Sequence, residues 1–333
     1  MKKKMFNKMF LCMSAIATLG AVSSCSQDAR IKIGVLQYIN IPALNQAFDG
    51  FKEVLEEELG EDAFTIELKD AAGDSTTNAA AASTLASKKC DLLFGIATPS
   101  ALALQSEVAR SMHPETPILF TAVTDPVASG LVLNPDVPEA NITGTNDMNP
   151  VAEQIALFKT INPSITKVGV LYSSNEPNSI VQLNLAKAAG TANGIQIVSK
   201  AISSSNDIPT TIDALINSDK IEGLYVPTDN TISAAMGTVF SSCKEKKVPI
   251  VCGEANMLTS GGMFSLGVDY HNLGEVTGKM AVDILKHKKS ISEIPSVGAT
   301  EFPLSINKDL CDEMGITVPA DLLASATLVS MEK

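Results

Sequence analysis

The residues with the most chemistry in this 333-residue chain lie in six short segments, each directly after an apolar run. They are Gln37-Tyr38-Ile39-Asn40-Ile41-Pro42-Ala43, Ala97-Thr98-Pro99-Ser100, Thr121-Ala122-Val123-Thr124-Asp125-Pro126, Tyr172-Ser173-Ser174-Asn175-Glu176-Pro177-Asn178-Ser179, Val226-Pro227-Thr228-Asp229-Asn230 and Gly253-Glu254-Ala255-Asn256. Hydroxyls, side-chain amides and a few carboxylates recur there, often where a helix should begin. A helix N-terminus offers unpaired N–H groups and a partial positive charge, so these segments can hold a carboxylate or another anion. Asp125, Asp229 and Glu254 can accept from an ammonium group. The combination suits a zwitterion such as an amino acid. The candidate ligand-binding residues are Ala43, Thr98, Ser100, Thr121, Thr124, Asp125, Ser173, Asn175, Asn178, Asp229 and Glu254. Ser, Thr, Asn and Asp are also the ordinary caps of any helix, and that reading stays open for each segment alone. Asn178, for one, can simply start its helix. Recurrence at the same topological place in both halves of the chain favours a site.

Catalytic signatures are absent. No phosphate-binding Gly-Lys-Ser/Thr loop, Gly-x-Ser-x-Gly elbow or His-Glu-x-x-His occurs. The three histidines, His113, His271 and His287, are scattered, which speaks against a zinc site or a histidine-based triad. Neither a metal nor a cofactor is expected. Tyr38, Tyr172, Tyr225 and Tyr270 all fall near strand ends and read first as packing residues.

These segments need elements to position them, and the pattern supplies alternating strands and helices. Strands are predicted over 31–36, 64–68, 91–96 and 118–123, with helices over 43–59, 78–88 and 100–111. The rhythm restarts after Gly144. Helices are predicted over 150–160, 179–193, 207–217, 232–246 and 273–286, and strands over 167–172, 195–201, 223–226 and 249–252. Repeated βαβ units imply parallel sheets with right-handed crossovers. In such sheets ligands bind beyond the carboxyl ends of the strands, where the six segments lie. The fold class is α/β, with two interleaved Rossmann-like lobes joined by three crossing segments near Gly144, Gly253 and Thr300-Glu301-Phe302. The expected division is 1–24 as a signal segment, 25–143 with 255–297 as one lobe, and 144–254 with 298–333 as the other.

The N-terminus carries Lys2, Lys3, Lys4 and Lys8, then an apolar stretch over 9–21, then Val22-Ser23-Ser24-Cys25. A basic start, a short apolar core and small residues read as an export signal. The stretch is shorter than the ~20 residues that span a bilayer. Val-Ser-Ser-Cys resembles a bacterial lipobox, which would make Cys25 a lipidation site and hold the domain at the outer face of the cytoplasmic membrane. A plain secretory signal with an incidental cysteine is the alternative. The formal charge is −12, and losing the four signal lysines takes it to −16. So acidic a chain is a poor partner for nucleic acid. Cys90, Cys243, Cys252 and Cys311 are widely spaced and read as buried small hydrophobes, with a Cys243–Cys252 disulfide left open.

Along its whole mature length the chain resembles the substrate-binding lipoproteins of tryptophan/tyrosine ABC importers. The resemblance rests on Ile33-Gly34-Val35-Leu36-Gln37 with Pro42-Ala43-Leu44, Ile96-Ala97-Thr98-Pro99, Thr121-Ala122-Val123-Thr124-Asp125-Pro126 and Asn141-Ile142-Thr143-Gly144. Gly169-Val170-Leu171-Tyr172, Glu176-Pro177-Asn178-Ser179, Tyr225-Val226-Pro227-Thr228-Asp229-Asn230 and Leu266-Gly267-Val268-Asp269-Tyr270 continue it. It implies a type I periplasmic-binding-protein fold, an amino-acid ligand with aromatic side chains favoured, ABC permease subunits as partners, and a monomer. By position it implies a carboxylate-binding role for Thr98 and Ser100. Thr121 and Thr124 would lie near the shared carboxylate and ammonium site, and Glu254 would meet the ammonium. Asn40-Ile41-Pro42-Ala43-Leu44-Asn45 departs from the family pattern, which more often has His before that Pro and Asp after that Leu. A sensory protein of the same fold is the alternative function. An enzyme has little support, and a DNA-binding regulator would need a helix-turn-helix where the signal stands.

Overall fold

The computed structural model describes residues 30–331. The expected signal segment and Cys25 lie outside the described residues. The chain runs β1 (Ile31–Gln37), α1 (Pro42–Leu59), β2 (Phe64–Asp70), α2 (Ser75–Ala86), β3 (Leu92–Ile96), α3 (Thr98–Val108), β4 (Ile118–Val123) and β5 (Ile142–Asn146). It crosses to α4 (Val151–Ile161), β6 (Lys167–Ser173), α5 (Pro177–Ala192), β7 (Gln196–Ile202), α6 (Ile208–Asp213), β8 (Gly223–Val226), α7 (Asn230–Ser233), α8 (Met236–Lys244), β9 (Ile250–Cys252) and β10 (Phe264–Leu266). It returns as α9 (Tyr270–Leu285) and β11 (Val297–Gly298), then crosses again to β12 (Leu304–Ile306), α10 (Lys308–Met314), α11 (Ala320–Ser325) and β13 (Thr327–Leu328).

Two sheets result. The first has the order β11-β5-β4-β3-β1-β2 and is parallel throughout. The second has the order β13-β12-β10-β9-β8-β6-β7, with β10 and β12 the antiparallel pair. Strands β3 and β4 are buried at every residue, because helices cover both faces of a parallel sheet, and this is why they read as unbroken apolar runs. Each lobe has its own core, around Phe51, Phe94 and Tyr270 in the first and Phe158, Tyr225 and Phe264 in the second. Helix starts follow local chemistry. Pro42 and Pro177 occupy first-turn positions where an N–H is not needed. Asp74, Asp229, Asp269 and Asn307 each accept from a first-turn N–H.

Two expected boundaries fall elsewhere. Gly144 is not a crossing point: β5 runs on to Asn146, and a Cβ at Gly144 would meet the Phe120 carbonyl oxygen at 2.0 Å. The glycine marks a close approach of two strands. Residues 255–266, expected in the first lobe, belong to the second sheet, because Phe264 and Ser265 pair with β9 and the chain crosses only at 267–269. The tail beyond 300, read only as Pro-interrupted, supplies β12 and β13. The four cysteines among the described residues are free thiols, so Cys243 and Cys252 are not paired.

The three crossings are hydrogen-bonded to one another. Val268 N donates to Asn149 Oδ1 at 3.3 Å, joining the first to the second, and Gly267 N donates to the Pro303 carbonyl at 3.4 Å, joining the second to the third. In the first lobe, α9 lies against α1 at backbone contact. A Cβ on Gly274 would come within 2.1 Å of the Ala47 carbonyl oxygen, and one on Gly50 within 2.2 Å of that of His271. Gly274→Val should therefore force the helices apart and cost about 1–3 kcal/mol, as overpacking does. Urea denaturation of the purified domain checks this, and an unchanged midpoint would show that the helices separate freely.

Candidate functional site

The carboxyl ends of the two sheets face each other. Between them lies a narrow cleft with about 300 Å³ of empty space, its mouth included. The first lobe contributes Ile41, Ala43 and Leu44 from the start of α1, Ala122 and Thr124 from the end of β4, Asp147 from the first crossing and Tyr270 from the start of α9. The second contributes Asn178 from α5, Thr228, Asp229, Asn230 and Ser233 around α7, and Glu254 and Met257 after β9. Local backbone geometry aims some of these groups. At the end of β4 the register with β5 shifts between Phe120 and Val123, and Ala122 takes a φ of 54°. Positive φ is costly for alanine, so the surrounding structure must hold it. Helix α1 has no side-chain cap on its first-turn N–H groups, and Ala43 and Leu44 border the cleft. That helix end can receive an anion.

Three buried carboxylates dominate the electrostatics. Asp147 accepts from Tyr270 Oη at 2.5 Å and from Thr124 Oγ1 at 3.0 Å. Burial raises its pKa, and these two bonds only partly offset the rise. Asp229 accepts from Ser173 N, Ser179 Oγ and Ile232 N. Burial again, then the neighbouring Glu176, pushes its pKa well above the carboxylate range. Glu254 accepts from Ser233 Oγ at 3.2 Å and Asn256 N at 2.7 Å, and burial with a contribution from Asp147 raises its pKa to about 7. Among the described residues, no Lys, Arg or His lines the cleft. Glu176 stands behind it, holding Asn230 and Thr231 through both backbone and side chains. A cluster of desolvated carboxylates without a protein cation is built to receive a positive charge.

The structure brings Ala43, Thr124, Asn178, Asp229 and Glu254 together on the cleft. It places the other six candidates elsewhere. Ser100 is buried and donates to Asn78 Oδ1 at 3.0 Å, tying α3 to α2. Thr121 shares a 2.8 Å hydrogen bond with Thr145, which shares another with Thr277, an internal ladder of hydroxyls. Thr98 is buried in the first turn of α3 with its hydroxyl unpartnered, off the cleft lining. Asp125 caps a turn through Val127 N and Ala128 N. Ser173 supports Asp229 through its backbone, and Asn175 is exposed and bonds the Ser203 carbonyl. The residue types were those of helix starts, and a start inside a lobe looks the same as one at its edge. Asp147 is not marked by the sequence, because Gly144 looks like a crossing and hides the end of β5. The strand-end rule applied to β5 would have found it. Of the four tyrosines, Tyr270 alone lines the cleft; Tyr225 is buried against Gln154.

A family profile described as ABC transporter substrate binding protein matches residues 32–330. A tyrosine-binding protein of Clostridioides difficile is 36% identical over 279 residues, covering 83% of this chain and 79% of that protein. Among solved structures, an ABC domain in complex with L-Trp from Streptococcus pneumonia superposes with a TM-score of 0.84 at 34% identity, over 90% of this chain and 99% of that one. The ligand-free, open structure of a substrate binding protein with adhesive properties from Clostridium difficile gives 0.68 at 34% identity, over 91% and 100%. The shared architecture is the type I periplasmic-binding-protein fold.

Glu254 carries a pH signature. Its folded pKa of about 7 lies above the ordinary 4.5, so folding favours the protonated form. That contribution is complete below pH 4.5 and is lost as pH rises to about 7. The loss amounts to roughly 3 kcal/mol in the ligand-free protein. Thermal denaturation at about pH 5 and about pH 8 should show a smaller loss for Glu254→Gln than for the parent. Equal losses would mean that Glu254 titrates as an exposed carboxyl does.

Proposed function

Because the chain belongs to the ABC transporter substrate-binding protein family, whose members recognised here bind ligands rather than turn them over, we propose that it captures an aromatic L-amino acid in the interlobe cleft and delivers it to the permease subunits of an importer. The observation that carries this reading is the cleft's charge pattern. Asp147 and Glu254 each have lone pairs left beyond the hydrogen bonds they accept from the protein and suit an α-ammonium group. The uncapped start of α1 at Ala43 and Leu44 suits the α-carboxylate. Ile41, Leu44, Ala122 and Met257 offer an apolar bed for a ring, and a methionine sulfur packs well against an aromatic edge. The relatives that bind tyrosine and L-Trp support the aromatic choice.

Delivery follows from the hinge. The lobes superpose better on the L-Trp complex than on the ligand-free, open form, which supports reading the present arrangement as the closed state. An open form would expose the acidic wall, the ligand would bridge the lobes, and closure would present a joined surface to the permease. Asn256 Nδ2 to Gln46 Oε1 at 3.2 Å is one bond that forms only when the lobes meet. No helix of the described residues is long and apolar enough to cross a membrane. Acylation of Cys25 would hold the monomer on the extracytoplasmic face, close to the permease.

Two measurements test the proposal. L-Trp or L-Tyr at a hundredfold excess over Kd should stabilise the domain by about 2.7 kcal/mol and reduce its radius of gyration in small-angle scattering. No shift with any aromatic amino acid would discard this ligand class. Growth with radiolabelled palmitate should label the parent and not Cys25→Ser, with the variant leaving the membrane fraction. Equal labelling would place the acyl chain elsewhere.

A further inference from the structure

Asn178 stands in the first turn of α5, is 4% exposed and lines the cleft. Its amide nitrogen donates to the Thr228 carbonyl at 2.8 Å and to Glu176 Oε2 at 3.2 Å. Both partners are acceptors only. The amide therefore cannot be turned over without setting its oxygen against two other oxygens. Glu176 cannot swing away either, because Asn230 and Thr231 hold it with four further donors between 2.7 and 3.0 Å. The orientation is fixed, and Oδ1 is left buried with no partner. An orphaned buried acceptor is unusual, since folded chains pair nearly all such groups.

The cleft thus has two poles of different chemistry. At one, Asp147, Glu254 and Tyr270 interact electrostatically, and the two carboxylates match a cation. At the other, the Asn178 oxygen is neutral and sits beside Glu176, the Thr228 carbonyl and Asp229, whose oxygens are already occupied by the protein's own donors. A neutral acceptor adds no charge to attract an ammonium group. It does match a neutral N–H or O–H.

We infer that Asn178 Oδ1 is a specificity-determining acceptor for a hydrogen-bond donor on the ligand's ring, an indole N–H or a phenol O–H, so that the site discriminates against phenylalanine. This rests on the reading of the cleft as an aromatic amino-acid site. A ligand lacking the donor leaves the oxygen orphaned in the closed state, and a site that hydrogen-bonds its ligand rejects such an analogue strongly.

Calorimetric titration of the parent protein tests this. L-Phe should bind about ten- to a hundredfold more weakly than L-Tyr, and 3-benzothienyl-L-alanine, which replaces the indole N–H by sulfur, should fall similarly below L-Trp. In Asn178→Ala the L-Tyr to L-Phe ratio should shrink to within about threefold. The ligand-side comparison uses the unaltered protein, so it stands even if the variant folds poorly. L-Phe binding as tightly as L-Tyr, together with the sulfur analogue binding as tightly as L-Trp, overturns the inference. So does a variant that weakens all ligands by one factor, since Asn178 would then serve groups they share. If none of these amino acids binds, the ligand class itself falls, and the inference with it.

Discussion

Three carboxyl groups are buried between the lobes, and among the described residues no Lys, Arg or His lines the cleft to meet them. Asp147, Asp229 and Glu254 are each almost wholly shielded from water and each carries a raised pKa whose first cause is that shielding. Hydrogen bonds from Tyr270, Thr124, Ser173, Ser179, Ser233 and Asn256 spread some of the charge without cancelling it. Burial therefore disfavours the ionised form of all three carboxyls. A cationic group entering the cleft would favour that form, so electrostatics suited to such a ligand would also favour the lobes meeting around it.

The rest of the architecture serves to bring those carboxylates together. Two sheets, parallel but for the β10–β12 pair, direct their carboxyl ends at a common space, and the helix starts beyond them supply the donors. The crossing segments add coherence. Asn149 links the first crossing to the second and to the second lobe: it donates to the Asp147 carbonyl and to Thr228 Oγ1, and it accepts from Val268 N. Gln154 extends the same link by donating to the carbonyls of Gly253 and Leu266. Cleft chemistry and hinge geometry thus share residues one or two positions apart.

Much of this was legible in the sequence, for a physical reason. Strands β1, β3, β4, β6 and β8 are buried on both faces, so they appear as short apolar runs that few other structures produce. Strands β10 and β12 have three residues each and lean on a partner distant in sequence, so no local pattern marks them. The site was half legible. Its residue types announced themselves after each strand, but Ser100 and Asn178 occupy equivalent helix starts and do different things. Ser100 closes a bond to Asn78 within its lobe, while Asn178 faces the gap. That difference depends on the neighbouring helix, which lies far away in sequence.

The return of α9 to the first lobe also bears on the order in which the chain can acquire its shape. The groove left by α1 on that lobe is filled by residues 270–285, and Gly50, Gly274 and Gly278 leave no room for a substitute. The second lobe waits in turn for β12 and β13, the last strands of the chain. Neither half can complete its core from its own early residues, and contacts of such long sequence separation form slowly. A nascent polypeptide with this topology stays uncommitted until nearly all of it is available, which leaves partly made chains open to chaperones and proteases.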